Sequence, residues 1–313
     1  MIALEVEGLT KMYGEVRALD SISFHVNERE IFGLLGPNGS GKTTLMEIVA
    51  GVRAPTSGSV KVFGLDALRE REKVSRLIGF NPQETMLYGD LSGWENLRFV
   101  ASLYGMDMRE FRERVEELSG ILGTGGFLDK RVDKLSGGQR RRISLMASIL
   151  HSPHLLILDE PTVGLDPEAR RDFWEVIWRL RDEGSTILLS THYMEEADEL
   201  CDRVAIMDRG RIVGLGEPDE LKRRYGGTAK VIVYPKLRSI GEVEGTLREM
   251  GLKVTRIGDG LAVETEEPEE LIPDLITSLS SKGLEPERIE IRSPTLEDVF
   301  LNLTGRPLAE VVE

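Results

Sequence analysis

The sequence is poor in residue types that often carry chemistry or cross-links. Its 313 residues include one cysteine, four histidines and two glutamines. The single cysteine, Cys201, excludes an internal disulfide bond and is typical of a protein from a reducing compartment. We interpret Cys201 as a small buried residue, because most buried thiols are inert.

Long hydrophobic runs are also missing. The longest apolar stretches, such as HLLILD and TILLS, fall far short of the ~18 residues that a membrane-spanning helix needs. The N-terminal stretch MIALEVEGLTKMYG lacks the basic segment and apolar core of a secretory signal. We therefore expect a chain that does not cross a bilayer by itself.

Positive charge is scarce, since 40 Lys and Arg residues stand against 54 Asp and Glu residues, for a net charge of −14. Binding nucleic acid requires a clustered basic surface, so we expect no nucleic-acid partner. The hydrophobic fraction of 40% and the charged fraction of 30% are typical of globular proteins. The length suffices for one large domain and one small domain, each with its own core.

The order of apolar segments predicts how the chain is organised. Residues 1–32 alternate between apolar and polar, which predicts antiparallel strands. Strands predicted at 154–160, 185–192 and 203–214 alternate with helices, which favours a mostly parallel sheet with helices on its faces. Residues from about 84 to 150 have a helical pattern, so we expect an inserted helical subdomain.

A domain boundary is predicted near residues 223–230. We expect a first domain over residues 1–225 and a second over residues 226–313. The second domain shows the order strand, helix, strand, strand, helix, strand between residues 230 and 292. This order predicts a small ferredoxin-like α+β domain.

The stretch GPNGSGKTT matches the phosphate-binding pattern G-x-x-x-x-G-K-S/T, between an apolar strand and a helix. Its glycines let the backbone N–H groups point at phosphates where the helix dipole is positive. Lys42 is expected to bind the β- and γ-phosphates of ATP, and the Thr43 hydroxyl to ligate Mg²⁺. The predicted nucleotide-binding residues here are Gly36, Pro37, Asn38, Gly39, Ser40, Gly41, Lys42, Thr43 and Thr44. The fold class is therefore predicted to be an α/β P-loop NTPase.

Two neighbouring carboxylates follow the apolar strand HLLIL. Ligands bind at the carboxyl end of strands in an open parallel sheet. Because adjacent strand residues point to opposite sides, Asp159 and Glu160 should have different roles. We expect Asp159 to hold Mg²⁺ through water and Glu160 to polarise the water that attacks the γ-phosphate.

The stretch LSGGQRRR, residues 135–142, predicts a second helix start that faces an anion. The Ser136 hydroxyl and the N–H groups of Gly137 and Gly138 can donate hydrogen bonds to a phosphate. Gln139 can close a capping box with Ser136. The arginines that follow, residues 140–142, are interpreted as a largely solvated helix face without a catalytic role.

The strings GPNGSGKTT, LSGGQ and LLILDEP, in that order, resemble the ATP-binding subunits of ABC transporters over most of residues 1–225. The resemblance implies that Tyr13 stacks on adenine and that Gln83 contacts Mg²⁺ and takes part in catalysis. It also implies that Asp166 lies at the nucleotide and that His192 contacts the γ-phosphate as a catalytic residue. The segment at Gln83 is expected to lie beside the contact with a membrane subunit.

In such proteins two copies sandwich two ATP molecules. The resemblance implies that Ser136, Gly137, Gly138 and Gln139 serve the ATP held by Lys42 of a second copy of the chain. It further implies a separate integral membrane permease and a cytoplasmic location, peripheral on the inner face of the membrane. The stretches YGDLSGWENLRFVASLYGM and SPTLEDVFLNLTG resemble those of exporter subunits of the ABC-2 class. This class includes daunorubicin-type resistance ATPases.

Three alternatives compete with a transporter subunit. Soluble ABC ATPases of translation usually carry two cassettes in one chain, whereas this chain has one. ATPases of DNA maintenance place long coiled coils between the two motifs, and the ~90 residues available here are too few. A P-loop kinase would leave the LSGGQ turn without a role.

Overall fold

The computed structural model describes residues 1–236 and 239–307. They divide into two compact units, the first containing Met1–Pro218 and the second Asp219–Arg306. The strands of the first unit are β1 (Ile2–Tyr13), β2 (Val16–Asn27), β3 (Ile31–Leu35), β4 (Ser57–Val62), β5 (Leu65–Asp66), β6 (Ile78–Asn81), β7 (Leu155–Asp159), β8 (Thr186–Thr191), β9 (Arg203–Asp208) and β10 (Arg211–Gly216). Its helices are α1 (Lys42–Val49), α2 (Arg71–Leu77), α3 (Gly93–Leu103), α4 (Met108–Leu122), α5 (Gly137–Ile149), α6 (Pro167–Asp182) and α7 (Met194–Leu200).

The first unit contains two sheets. The N-terminal sheet has the order β2-β1-β4-β5 and is antiparallel throughout. The main sheet has the order β10-β9-β3-β8-β7-β6, in which every neighbouring pair is parallel except β10 with β9. Strands β3, β7 and β8 are buried along their whole length, as expected for central strands covered on both faces. The predicted α/β class is therefore confirmed.

The main sheet decides where the site can form. Because β3, β6, β7 and β8 are parallel, their carboxyl ends lie at one edge of the sheet. The phosphate loop follows β3, the segment with Gln83 follows β6, Glu160 follows β7 and His192 follows β8. Strand β6 and helix α2 before it were not anticipated from the sequence.

The predicted helical insert is confirmed as α3, α4 and α5, with a short 3-10 turn at Val132–Lys134 before α5. Helix α3 begins after Ser92, whose hydroxyl accepts a hydrogen bond from the N–H of Glu95 in a complete capping box. Among residues 1–236 and 239–307, no helix combines the length and the apolar character that crossing a membrane requires.

The second unit has the predicted order of elements. It consists of β11 (Ala229–Tyr234), α9 (Ile240–Glu249), β12 (Val254–Ile257), β13 (Gly260–Thr265), α10 (Pro268–Ser281), β14 (Arg288–Arg292) and α11 (Leu296–Thr304), after the linking helix α8 (Pro218–Tyr225). The sheet order β12-β13-β11-β14, with antiparallel neighbours, is that of a ferredoxin-like domain. Its core is built from apolar residues of the sheet and of α9 and α10.

The stretch predicted as one strand over residues 203–214 is a hairpin of two strands, so that prediction is wrong. The turn lies at Arg209 and Gly210, which both have positive φ angles, 47° and 76°. Such angles at both turn positions suit a tight hairpin. A Cβ on Gly210 would lie 2.6 Å from the carbonyl oxygen of Ala18, so the close approach requires glycine. The turn was not predicted, because apolar residues recur through residues 203–214 on both sides of it.

Candidate functional site

The phosphate loop is a tight turn between β3 and α1. Its first glycine, Gly36, has no room for a side chain, because a Cβ there would lie 2.3 Å from the carbonyl oxygen of Met207. The N-cap of α1, Gly41, has a φ of 105°, and a Cβ there would lie 2.6 Å from the carbonyl oxygen of Ala18. The loop therefore brings bare backbone to the start of α1, where N–H groups and the helix dipole attract anions.

Lys42 is fixed inside this loop. Its side chain is 4% exposed, and its Nζ donates hydrogen bonds to the carbonyl oxygens of Gly36 (2.6 Å) and Pro37 (3.0 Å). The same Nζ lies 3.4 Å from Oε1 of Glu160. Burial lowers the pKa of Lys42, and the neighbouring carboxylate opposes that shift. The arrangement is a buried cation that already has a carboxylate partner.

Asp159 ends β7 and is fully buried. Its Oδ1 accepts a 2.5 Å hydrogen bond from the hydroxyl of Ser190, whereas its Oδ2 is buried without a hydrogen-bond partner. Burial raises the pKa of Asp159, against the opposing effect of the hydrogen bond from Ser190 and of the nearby hydroxyl of Thr43. A buried oxygen without a protein partner is a candidate ligand atom for an ion or a water.

Glu160 is the centre of the cluster. Its backbone has a positive φ of 47°, and its N–H donates to the carbonyl oxygen and the hydroxyl of Ser190. In addition to the ion pair of its Oε1 with Lys42, its Oε2 lies 3.2 Å from Nδ1 of His192. The same Oε2 accepts a 3.5 Å hydrogen bond from Nε2 of Gln83. Burial raises the pKa of Glu160, but His192 and Lys42 outweigh it, so the pKa is lowered overall. The carboxylate is therefore ionised at neutral pH.

These residues border a cavity of 370 Å³. Its lining consists of Ala18, Asn38, Gly39, Gly41, Lys42, Thr43, Thr44, Gln83 and Glu160. The structure thus brings together the phosphate loop, Gln83 and Glu160, with His192 against the Glu160 carboxylate and Asp159 next to Glu160 in the chain. Ala18, from β2, was not predicted from the sequence, because only the folded contact with Gly41 brings it there.

The residues of the Ser136 turn are not among the described residues that line this cavity. Ser136 is the N-cap of α5, and its hydroxyl accepts from the N–H of Gln139 while its own N–H donates to Oε1 of Gln139. Ser136 and Gly137 are exposed. The predicted capping box is confirmed, and the turn faces solvent instead of the cavity lined by its own chain.

Two further predicted residues also lie outside the cavity lining. Asp166 is the N-cap of α6, and its Oδ1 accepts a 2.9 Å hydrogen bond from the N–H of Ala169. Tyr13, at the end of β1, is 40% exposed, with the cations of Lys11 and Arg53 at 5.2 and 5.3 Å from its ring centre. The ring is therefore accessible from solvent.

The prediction that residues 140–142 form a solvated face is wrong for Arg141. Arg141 is 6% exposed and donates hydrogen bonds from Nη1 to the carbonyl oxygens of Pro82 (3.4 Å) and Gln83 (2.8 Å), and from Nη2 to that of Glu160 (2.8 Å). Three consecutive arginines gave no sign of which one faces inward. The signal available was the helical spacing of Arg141 to the buried Leu145 and Ser148.

A second buried polar cluster also went unrecognised. Glu196, on α7, is fully buried, and its Oε1 accepts hydrogen bonds from the hydroxyl of Thr162 (2.8 Å) and from Nε1 of Trp174 (3.1 Å). Burial raises the pKa of Glu196. The cluster joins the segment after Glu160 to helix α7, which follows His192.

Comparison with known proteins agrees with this geometry. Residues 19–163 match the family model "ABC transporter", and residues 216–304 match "ATP-binding protein DrrA1-3-like, C-terminal domain". The chain is 37% identical to the daunorubicin resistance ATP-binding protein DrrA3 of Streptomyces coeruleorubidus, over 97% of this chain and 96% of that protein. It is 36% identical to the Nod factor export ATP-binding protein I of Ralstonia nicotianae, over 98% and 95%.

A solved structure resembles the first unit. It is the dimeric structure of a post-hydrolysis state of the ATP-binding cassette MJ0796 bound to ADP and Pi, with a TM-score of 0.63 and 26% identity. The match covers 68% of this chain and 98% of that one. The geometry of the phosphate loop and the similarity to relatives over nearly their full length agree. The chain belongs to the ATP-binding, ATP-hydrolysing subunits of ABC transporters, in the ABC-2 exporter class.

Proposed function

We propose that the 370 Å³ cavity holds the phosphates of ATP and that Glu160 is the general base of hydrolysis. The observation that carries this assignment is the buried ion pair between Lys42, the first residue of α1, and Glu160, which follows β7. The two charged groups are 3.4 Å apart. An entering γ-phosphate competes for Lys42, and the carboxylate that loses this partner can accept a hydrogen bond from water. His192 is then placed to donate to the γ-phosphate.

Mg²⁺ fits the same site. The buried Oδ2 of Asp159 has no partner, and the hydroxyl of Thr43 is beside this carboxylate. Mg²⁺ takes few protein ligands and completes its shell with phosphate and water. Thr43, Asp159 and Gln83 would hold Mg²⁺, which supplies charge neutralisation at the β- and γ-phosphates.

The functional unit is proposed to be a dimer in which two copies share each ATP. Ser136 and Gly137 are exposed at a helix N-terminus and are not part of the cavity lined by their own chain. A second copy, related by a two-fold axis, can bring them to the γ-phosphate held by Lys42. Gly138 and Gln139 complete this turn, and Asp166 and Tyr13 are proposed to contact nucleotide at the rim.

ATP would act as the bridge between the two copies. Since the γ-phosphate would contact both chains, ATP favours the closed dimer and ADP does not. A ligand that binds one state better than the other shifts the equilibrium between them, and this difference is what drives a transporter.

A separate membrane permease is the proposed partner of the helical insert. An apolar groove of 450 Å³ lies next to the segment with Gln83 and is lined partly by the exposed side chains of Met86, Tyr88, Phe99 and Leu103. Contiguous exposed apolar side chains are typical of interaction sites. Because the groove includes Pro82, beside Gln83, an apolar segment of the permease seated there would be adjacent to the ATP site. The subunit would then be peripheral on the cytoplasmic face of the membrane.

Co-purification with a candidate membrane permease, expressed together with this chain, tests the partnership. Leu103→Glu, in the groove, should lose the membrane protein and keep its own ATPase activity. Val16→Glu is the control, since Val16 is equally exposed (67%, against 68% for Leu103) but lies on β2, outside the groove. Equal recovery of the membrane protein with both variants would contradict the assignment, and co-purification of ribosomes or DNA would favour a soluble ABC ATPase.

The C-terminal domain is proposed to stabilise the dimer or to regulate access of ATP. We propose residue 226, after α8, as its start, seven residues beyond Asp219, where the second compact unit begins. Deleting residues 226–313 should then change either dimer formation or the ATPase rate. If both were the same as in the full chain, this role would be abandoned.

A further inference from the structure

Arg141 connects three segments that each belong to the ATP site or its partner contact. It lies on α5, whose first turn carries Ser136, and its guanidinium group donates to the backbone of Gln83 and of Glu160. The two hydrogen bonds are both 2.8 Å long, and the residue is 6% exposed. A buried charged group with partners on two separate segments fixes their positions relative to each other.

The backbone of Glu160 requires such support. Its φ of 47° lies in the left-handed region, which is strained for a residue with a Cβ and persists only where the surroundings hold it. The N–H of Glu160 is held by Ser190, and its carbonyl oxygen is held by Arg141. These two contacts direct the Glu160 carboxylate toward Lys42 and His192.

The segment with Gln83 is attached to α5 at two points. Arg141 donates to the carbonyl oxygens of Pro82 and Gln83, and one turn later the hydroxyl of Ser144 donates to Oδ1 of Asn81 (2.6 Å). The exposed Gln83 side chain, which reaches Glu160 at 3.5 Å, thus starts from a backbone that α5 fixes. A rigid helix transmits a displacement of its first turn to its fifth residue.

We propose that Arg141 is a positioning residue that couples the Ser136 turn to Glu160 and Gln83 of the same chain. When the Ser136 turn engages the ATP of the partner copy, α5 shifts and Arg141 moves the proposed general base and the Gln83 segment of its own site. The two ATP sites of a dimer are thereby linked through one side chain. This inference rests on the proposed sandwich dimer and goes beyond it, since the resemblance assigns no role to Arg141.

Arginine suits this position better than lysine. Its planar fork offers donors in two directions at once, toward the Gln83 segment and toward Glu160, whereas a lysine ammonium is a single point. Removing the fork leaves carbonyl oxygens without a partner and the Glu160 carbonyl unsupported. The expected consequence is a slower chemical step with nucleotide binding preserved. Among the residues that the structure describes, the guanidinium group of Arg141 donates to Pro82, Gln83 and Glu160 and not to the phosphate loop.

The first test compares Arg141→Met with Arg140→Met in the full chain. Met keeps the aliphatic length and removes the donors, and Arg140 is the exposed neighbour on the same helix. We expect kcat for ATP to fall about tenfold or more in Arg141→Met, which corresponds to about 1.4 kcal/mol in the barrier. The Kd for ADP, measured by calorimetry, should stay within about twofold. Arg140→Met should match the wild type in both.

Arg141→Lys guards against a variant that fails to fold. It keeps the charge and some donors, so we expect a folded protein whose kcat is still reduced because one ammonium cannot serve both segments. An unchanged kcat in Arg141→Lys, or losses in Arg141→Met no larger than in Arg140→Met, would overturn the proposal. A loss of ADP affinity as large as the loss in kcat would also overturn it, because it would indicate a role in binding.

Mixed dimers test in which chain Arg141 acts. A dimer of one Lys42→Ala chain and one Ser136→Arg chain keeps one intact site. The Ser136→Arg chain supplies Lys42 and Glu160 to this site, and the Lys42→Ala chain supplies Ser136. Adding Arg141→Met to the Ser136→Arg chain should lower the recovered activity about tenfold or more, whereas adding it to the Lys42→Ala chain should preserve most of it. The reverse result would contradict an action on the chain's own Glu160. If the parent mixture recovers no activity, the homodimer kcat judges Arg141, and an ATP-dependent cross-link between positions 38 and 136 of two chains judges the sandwich dimer.

Discussion

The Nζ of Lys42 lies 3.4 Å from Oε1 of Glu160, and their side chains are only 4% and 5% exposed. Each charge compensates the other before nucleotide enters, which avoids the large cost of an unpaired buried charge. In the proposed mechanism, a γ-phosphate that replaces Glu160 at Lys42 also releases the carboxylate to accept a hydrogen bond from water. The proposal thus links the binding of ATP to the activation of the base through one ion pair.

Glu160→Gln should bind ATP and lose hydrolysis by about a hundredfold or more, since a general base contributes that much. The variant should accumulate as an ATP-bound dimer, because the bridging γ-phosphate is not removed. ATP turnover and sedimentation with ATP or ADP measure the two effects. Glu199→Gln, an exposed glutamate on α7, is the control and should behave as the wild type. Turnover near the wild-type rate in Glu160→Gln would exclude Glu160 as the base.

Ser136→Arg should abolish turnover and leave nucleotide binding by the single subunit unchanged. The reason is that the Ser136 turn is exposed and separate from the cavity of its own chain, so its substitution damages the site of the partner. Calorimetric binding of ADP and steady-state hydrolysis of ATP distinguish the two effects. A loss of ADP affinity in the monomer would place the Ser136 turn in its own chain's site and would contradict the shared arrangement.

Glu196→Gln should become more stable relative to the wild type as pH rises. Because burial raises the pKa of Glu196, the folded state favours the neutral carboxyl, and the stability from this group is lost as pH rises through that pKa. Gln stays neutral throughout. Unfolding free energies in urea at about pH 5 and about pH 8 measure the trend. A difference between Glu196→Gln and the wild type that does not change with pH would contradict the account.

Gly210→Ala should destabilise the protein more than Gly105→Ala does. Both glycines have positive φ angles, 76° and 71°, so each substitution adds backbone strain of about 1 kcal/mol. Only at Gly210 would the new Cβ meet a neighbour, the carbonyl oxygen of Ala18 at 2.6 Å, whereas Gly105 borders open space. We expect a further loss of about 1–3 kcal/mol for Gly210→Ala in urea unfolding. Equal losses of unfolding free energy in Gly210→Ala and Gly105→Ala would contradict this expectation, because they would mean that the hairpin accommodates the new Cβ without a further energetic cost.

The parts of the site that come from contiguous motifs were predictable. The phosphate loop at Gly36–Thr44, the carboxylates after β7 and the capping boxes at Ser92 and Ser136 each depend on local spacing, and local spacing is visible in a sequence. The ferredoxin-like order of the second unit followed from the same kind of pattern.

The parts that depend on contacts between distant segments were not predictable. Arg141 reaches Glu160 across 19 positions and Gln83 across 58, and nothing in the run of three arginines sets it apart. Glu196 is buried because Thr162 and Trp174 satisfy it, which the acidic stretch MEEADE does not reveal. The turn at Gly210 is fixed by its approach to Ala18, a residue of another strand.

A cysteine cross-link between Asn38 and Ser136 tests the shared site most directly. The chain to use is Glu160→Gln with Asn38→Cys and Ser136→Cys, because both positions are exposed and the natural Cys201 is buried. With ATP and a short thiol cross-linker, two chains should join through positions 38 and 136, as mapped by mass spectrometry of the linked peptides, and with ADP they should not. Links formed only within one chain, or equally with ATP and ADP, would contradict the account.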